Sequence, residues 1–99
     1  MLNNFRLYTS AIRFYQLCKP LRLPVYAKDQ LLRASSSVGN NIGEGYGRVS
    51  TKDKKRFYRI ALGSVRECQT IFAQEEIRDA TLLDIVDFLG GGLYKLVRE

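Results

Sequence analysis

Seven cations in one short stretch are the residues best suited to chemistry: Arg48, Lys52, Lys54, Lys55, Arg56, Arg59 and Arg66. Asp53 is the one acid between Val49 and Arg66. At helical spacing the cations from Lys52 onward form a strip opposite an apolar face. Phosphate contacts need only positive charge at loose spacing. Such a strip therefore supports salt-dependent, weakly sequence-selective contact with RNA or DNA. Tyr46 and Tyr58 lie close enough in sequence to add stacking on exposed bases. The competing reading is a solvated face whose arginines pair with acids of a neighbouring subunit.

Other chemistries find less support, and no catalytic residue, metal ligand or cofactor site is assigned. The chain has no His, which removes the commonest general base and metal ligand. Gly43, Gly45 and Gly47 lack the spacing and the preceding strand of a phosphate-cradling loop. Glu44 and Glu67 form a conceivable carboxylate pair, but both have basic neighbours expected to keep them ionised and structural. Cys18 and Cys68 have no further Cys around them and read as small core residues.

The net charge of +6 is unevenly spread. Residues 1–66 hold 13 Lys or Arg against three acids, whereas residues 67–99 hold three against seven. This asymmetry suits an anionic partner or head-to-tail self-association. Ninety-nine residues with 45% apolar content suffice for one domain, residues 1–99, with a single modest core. No apolar run is long enough for a membrane span, and the N-terminal residues lack a signal-peptide pattern. A cytoplasmic, bacterial-type protein is expected.

Four helices must position these groups. The first is expected from about Asn4 to Cys18. It carries two apolar stripes, one of Phe5, Tyr8, Ile12 and Tyr15, the other of Leu7, Ala11, Phe14 and Cys18. A lone amphipathic face needs only the first, so the second implies more bundle or another subunit. Pro20 and Pro24 end that helix and start the next. The second helix runs through Gln30–Arg48, rich in Ser, Gly and Asn, to a left-handed glycine cap at Gly45 or Gly47. Its weak propensity means that packing must stabilise it. Ser50 with Asp53 resembles a capping box for a third helix from about Thr51 to Ile77. Phe57, Ala61, Ser64, Cys68 and Ile71 define its apolar stripe. Thr81 with Asp84 suggests the start of a fourth, whose apolar stripe is Leu82, Ile85, Val86, Leu89, Leu93, Leu96 and Val97. Gly90, Gly91 and Gly92 there mark a kink or a close approach. Strand alternation is missing. The expected fold is an all-α, antiparallel up-down-up-down four-helix bundle.

Folding the second and third helices back about Val49 sets Arg33 opposite Arg66 and Glu67, Val38 and Gly39 opposite Ala61, and Glu44 opposite Lys55. An Arg33–Glu67 ion pair follows. So does a structural polar group of Arg33, Asn41, Glu44 and Glu67, with close backbone approach where Ser35 and Gly39 meet Ala61, Gly63 and Ser64.

Two segments also carry a family resemblance. One runs Arg33-Ala34-Ser35-Ser36-Ser37-Val38, then Asn41-Ile42-Gly43-Glu44-Gly45 and Gly47-Arg48. The other runs Ser50-Thr51-Lys52, then Arg56-Phe57-Tyr58, Ile60-Ala61-Leu62-Gly63-Ser64 and Glu67. Together they resemble the four helix bundle proteins encoded in intervening sequences of bacterial large-subunit ribosomal RNA genes, once labelled ribosomal proteins. The resemblance implies homopentamers. It also implies kinship in fold with the accessory variability protein of diversity-generating retroelements, a basic pentamer that binds nucleic acid and docks on a reverse transcriptase. A reverse-transcriptase-like or ribosomal partner is what this implies here. Gly39, Asn40 and Gly43 stand where that family usually has Pro, Ala and Ala, which implies a looser second helix. An oligomeric scaffold or adaptor for a protein partner, without nucleic-acid binding, is the alternative.

Overall fold

The computed structural model describes residues 2–99. Its elements are α1 (Leu2–Cys18), α2 (Val25–Tyr46), α3 (Thr51–Gln74) and α4 (Ala80–Arg98). Each helix contacts the one before and after it, and α1 closes the square against α4. The pairings run in opposite directions. Down α2 from Gly45 through Ser37 to Tyr26, the partners are Lys54 and Ser64 of α3 and Glu75 just past its end. From Gly39 to Gly43 on α2, the α1 neighbour moves from Ala11 back to Tyr8. On α4, Asp87 accepts from Gln69 and Gly90 lies beside Val65. The bundle is therefore antiparallel throughout, 40 × 22 × 20 Å, and its long axis matches the roughly 36 Å expected of the 24-residue α3.

One core joins all four helices. Leu7, Phe14, Leu31, Ile42, Val65, Phe72, Leu89 and Leu93 are buried in it. Phe14 and Phe72 meet edge-on across it, with ring centroids 6.0 Å apart. The two α1 stripes take roles opposite to those expected. Leu7, Ala11, Phe14 and Cys18 fill the core, while Phe5, Tyr8 and Ile12 remain exposed. The hydroxyls of Tyr8 and Tyr15 explain the choice, because burying them requires hydrogen-bond partners that Leu, Ala, Phe and Cys do not need.

Helix ends follow local chemistry, with three departures from expectation. The Ser50 hydroxyl accepts from Asp53 N–H at 3.1 Å and caps α3 as the sequence suggests. Gly47 ends α2 in the right-handed region (φ −81°) rather than the left-handed one. The cap at α4 is Asp79, which accepts from Leu82 N–H at 3.0 Å; Thr81 lies inside the helix. Helix α3 stops at Gln74, short of Ile77. There Glu76 takes φ 55°, and Ile77 N–H and Glu76 N–H reach back to the carbonyls of Phe72 and Ala73. That is a Schellman closure built on a non-glycine residue. It turns Ile77 back against the core.

Helix α4 runs unbroken through its three glycines, from Ala80 to Arg98. A Cβ on Gly92 would stand 2.6 Å from Leu7 Cδ2, so Gly92 leaves room for the Leu7 side chain of α1. The small residues of α2 also face elsewhere than expected. Gly39 looks onto Ala11 and Ile12 of α1, and Ser35 lines the same α1–α2 groove. Gly63 borders open space. The tight contact between α2 and α3 is at Gly45, where a Cβ would meet Tyr58 Cε1 at 2.6 Å and the Lys54 carbonyl at 3.2 Å.

Candidate nucleic-acid interface

Helix α3 buries Tyr58, Ala61, Val65, Cys68, Ile71 and Phe72. The opposite side of the helix then fixes which cations face water. Lys52, Arg56, Arg59 and Arg66 are exposed and Lys55 is half-buried. Among the described residues none of these five forms an ion pair with a carboxylate.

Lys54 stands apart from this face. It leaves α3 on the core side and donates to the carbonyls of Gly45 (3.3 Å) and Tyr46 (3.0 Å) at the end of α2. An ammonium there satisfies the Tyr46 carbonyl, adds to the Arg48 N–H already on the Gly45 carbonyl, and complements the negative end of the helix dipole. Its role is to cap α2, and the expectation that it belongs to the outer strip is corrected. The reason is register: two residues on from Lys52, a helical side chain has turned by about 200°.

Arg48 sits at the turn where α2 meets α3. It pairs with Glu44 at 3.1 Å, both partners largely exposed. Its guanidinium also lies 4.7 Å from the Phe57 centroid, and that of Arg56 lies 4.5 Å from the same ring. Phe57 is thus a half-buried surface platform for two arginines rather than a core residue. Tyr58, one position on, takes the core place and is 3% exposed. It has no face for a base, which corrects its expected stacking role. Tyr46 is 40% exposed, with the Lys54 ammonium 5.9 Å from its ring centroid. Arg66 donates to Gln69 at 3.1 Å, and Gln69 donates on to Asp87 of α4 at 3.4 Å. This links the far end of the strip to the acidic helix.

The polar group expected from Arg33, Asn41, Glu44 and Glu67 divides into parts. Asn41 donates to the Ser37 carbonyl (2.9 Å) and hydroxyl (3.0 Å), and Ser64 donates to that same hydroxyl at 2.9 Å. Glu44 belongs to Arg48. Arg33 and Glu67 line one recess of 340 Å³ on the α2–α3 seam, yet no ion pair joins them among the described residues. The two residues stand across the seam from each other, but both groups face water, where an ion pair gains only about 0–1 kcal/mol. Solvation of each charge competes with pairing on equal terms. The Ser37–Ser64 bridge does the joining instead.

Cys18 and Cys68 are free and buried. Burial raises the Cys18 thiol from 9 to about 12 and pushes that of Cys68 higher still. Both are inert thiols rather than nucleophiles at neutral pH. Among the described residues no three Cys, Asp or Glu gather as metal ligands, and no helix is long and apolar enough to cross a membrane.

A square four-helix bundle with a cationic outer face on α3 belongs among the small all-α bundle proteins. Its family follows from residues 6–83, which match the model of the 23S rRNA-intervening sequence protein family. The chain belongs to that family. No curated protein and no solved structure matches it.

Proposed function

We propose that this chain is a non-enzymatic, basic, homo-oligomeric bundle that binds nucleic acid through the outer face of α3. The observation that carries the reading is the set Lys52, Lys55, Arg56 and Arg59 on one face, with no carboxylate in ion-pair reach of any of them among the described residues. Cations left without intramolecular acids keep their full attraction for phosphate. Arg48 and Arg66 extend the face at either end. The family's name ties it to 23S rRNA intervening sequences, which supports the reading of a cytoplasmic accessory to a larger nucleoprotein, with a ribosomal or reverse-transcriptase-like partner. The decisive experiment measures binding of the full chain to RNA and to DNA at low and high salt. Tight binding at low salt that weakens steeply with salt is expected; absence of binding at low salt refutes the proposal.

A specific feature favours the second reading, an oligomeric scaffold for a protein partner. The exposed side chains Tyr8 and Ile12, with Tyr15, border a groove of 520 Å³ between α1 and α2, floored by Gly39 and Gly43. Small residues flanked by exposed aromatics suit a helix packed from outside. Under the main proposal this same surface serves self-association, with a pentamer expected from the family resemblance. Light scattering tests the self-association that both readings share: a monomer in dilute solution removes the ring and its gain in avidity.

A further inference from the structure

The reading above leaves open which form of nucleic acid the α3 face accepts, and the aromatic groups around that face bear on it. We infer that the face takes double-helical nucleic acid, through the phosphates on both sides of a groove, in preference to an unpaired strand. This deepens the proposed function and rests on it.

Proteins that hold unpaired strands combine a cationic groove with open aromatic rings on which bases stack. Here the rings beside the cations are already committed. Tyr58 is buried under Gly45. Phe57 carries the guanidiniums of Arg48 and Arg56, both within 5 Å of its centroid. Tyr46 carries the Lys54 ammonium, itself tied to the α2 carbonyls. A base that stacked on Phe57 would have to displace an arginine. An arginine already stacked on a ring keeps its N–H edges outward, the geometry that meets a phosphate.

The layout of the cations points the same way. Lys55 and Arg56 are consecutive, so they leave the helix about 100° apart. Lys52 and Arg59 fall between those two directions, about 10 Å apart along the axis. The charges make a patch at least two files wide on a rigid rod. An unpaired strand offers one flexible line of phosphates, while a duplex offers two rigid lines flanking a groove and about twice the charge per length. The rigid, wide patch therefore meets more phosphates on a duplex, without the entropy cost of ordering a loose strand.

The test titrates the full chain with RNA and DNA duplexes of about 20 base pairs and with an unpaired polyuridine strand of equal length, at two salt concentrations. At least tenfold tighter binding to one or both duplexes is expected, with a slope of log affinity on log salt near −3 to −4 per chain engaged. Replacing Arg59 with Gln should lower the duplex slope by about one, and Tyr46→Ala should leave duplex affinity within twofold. Equal or tighter binding to polyuridine, or a tenfold loss on Tyr46→Ala, overturns the inference while the proposed function stands. Failure of every strand to bind at low salt overturns both.

Discussion

The hydroxyl of Ser64 on α3 donates to the hydroxyl of Ser37 on α2 at 2.9 Å, 27 residues away in the chain. Asn41 donates to the same oxygen, so Ser37 is the shared acceptor of a small polar seam between the two helices. Ser37→Ala takes the acceptor from the Ser64 hydroxyl at a half-buried place, while Asn41 keeps the Ser37 carbonyl, and should cost about 1 kcal/mol in urea unfolding. Ser64→Ala should cost less, because it removes one donor and orphans none. In a double-mutant cycle the pair should show about 0.5–1 kcal/mol of coupling. Strict additivity would mean that the seam adds nothing.

Gly45 and Gly63 should respond in opposite directions to alanine. At Gly45 the new methyl meets the Tyr58 ring and the Lys54 backbone, and the latter cannot step aside. Overpacking there should cost about 1–3 kcal/mol. At Gly63 nothing lies within 4 Å. Alanine should gain about 0.5–1 kcal/mol from helix propensity alone. Thermal unfolding of the two variants, read side by side, checks the α2–α3 contact.

Glu76 holds a left-handed conformation that costs a side-chain-bearing residue about 1–2 kcal/mol. Glu76→Gly should raise stability by roughly 0.5–1 kcal/mol, since glycine gives back part of the gain as unfolded-chain entropy. A loss of stability would mean that the closure of α3 depends on the glutamate side chain.

Lys54 and Arg59 separate the structural cation from the surface one. Lys54→Gln removes the ammonium from the carbonyls of Gly45 and Tyr46 and should cost about 1 kcal/mol of stability. Arg59→Gln should leave the melting temperature unchanged and weaken nucleic-acid binding at low salt several-fold. If Lys54→Gln weakened binding as much as Arg59→Gln with no loss of stability, the assignment of Lys54 to the α2 cap would be wrong.

The buried thiols give a pH dependence of known sign. Cys18 titrates at about 12 in the fold and near 9 in the unfolded chain. The folded state then binds more protons than the unfolded state between these values, so stability falls as pH rises through that window and is constant below it. Replacing Cys18 by Ala should flatten the alkaline limb of a stability profile. Alkylation at neutral pH should be at least about a hundredfold slower for the folded protein than in denaturant.

Much of the fold was legible because helix formation and capping are local. The prolines at 20 and 24 and the Ser50 cap set boundaries that neighbouring residues alone determine. The antiparallel register of α2 and α3 was legible too, since a short turn between two long helices leaves few alternatives. At the site, charge periodicity identified the outer face of α3. It misplaced Lys54 because a helix end brings the carbonyls of another helix within reach of an inward ammonium. It confused Phe57 with Tyr58 because adjacent aromatics fit an apolar stripe about equally well until the partner surface is known. Gly45 opens space for Tyr58, and two arginines cover Phe57.

By itself the sequence determined four helices, their order, the free thiols' apolar setting and the basic character of α3. Those properties reside in composition and in a 3.6-residue period, which any helix expresses without its neighbours. Tertiary structure decided which of the two α1 stripes is core. It also decided that Arg33 and Glu67 share a recess without pairing, and that Lys54 closes α2 rather than facing solvent. These outcomes depend on what lies across a gap of a few ångströms: a carbonyl end, an open recess or a glycine. Such distances belong to pairs of helices and are absent from either helix alone.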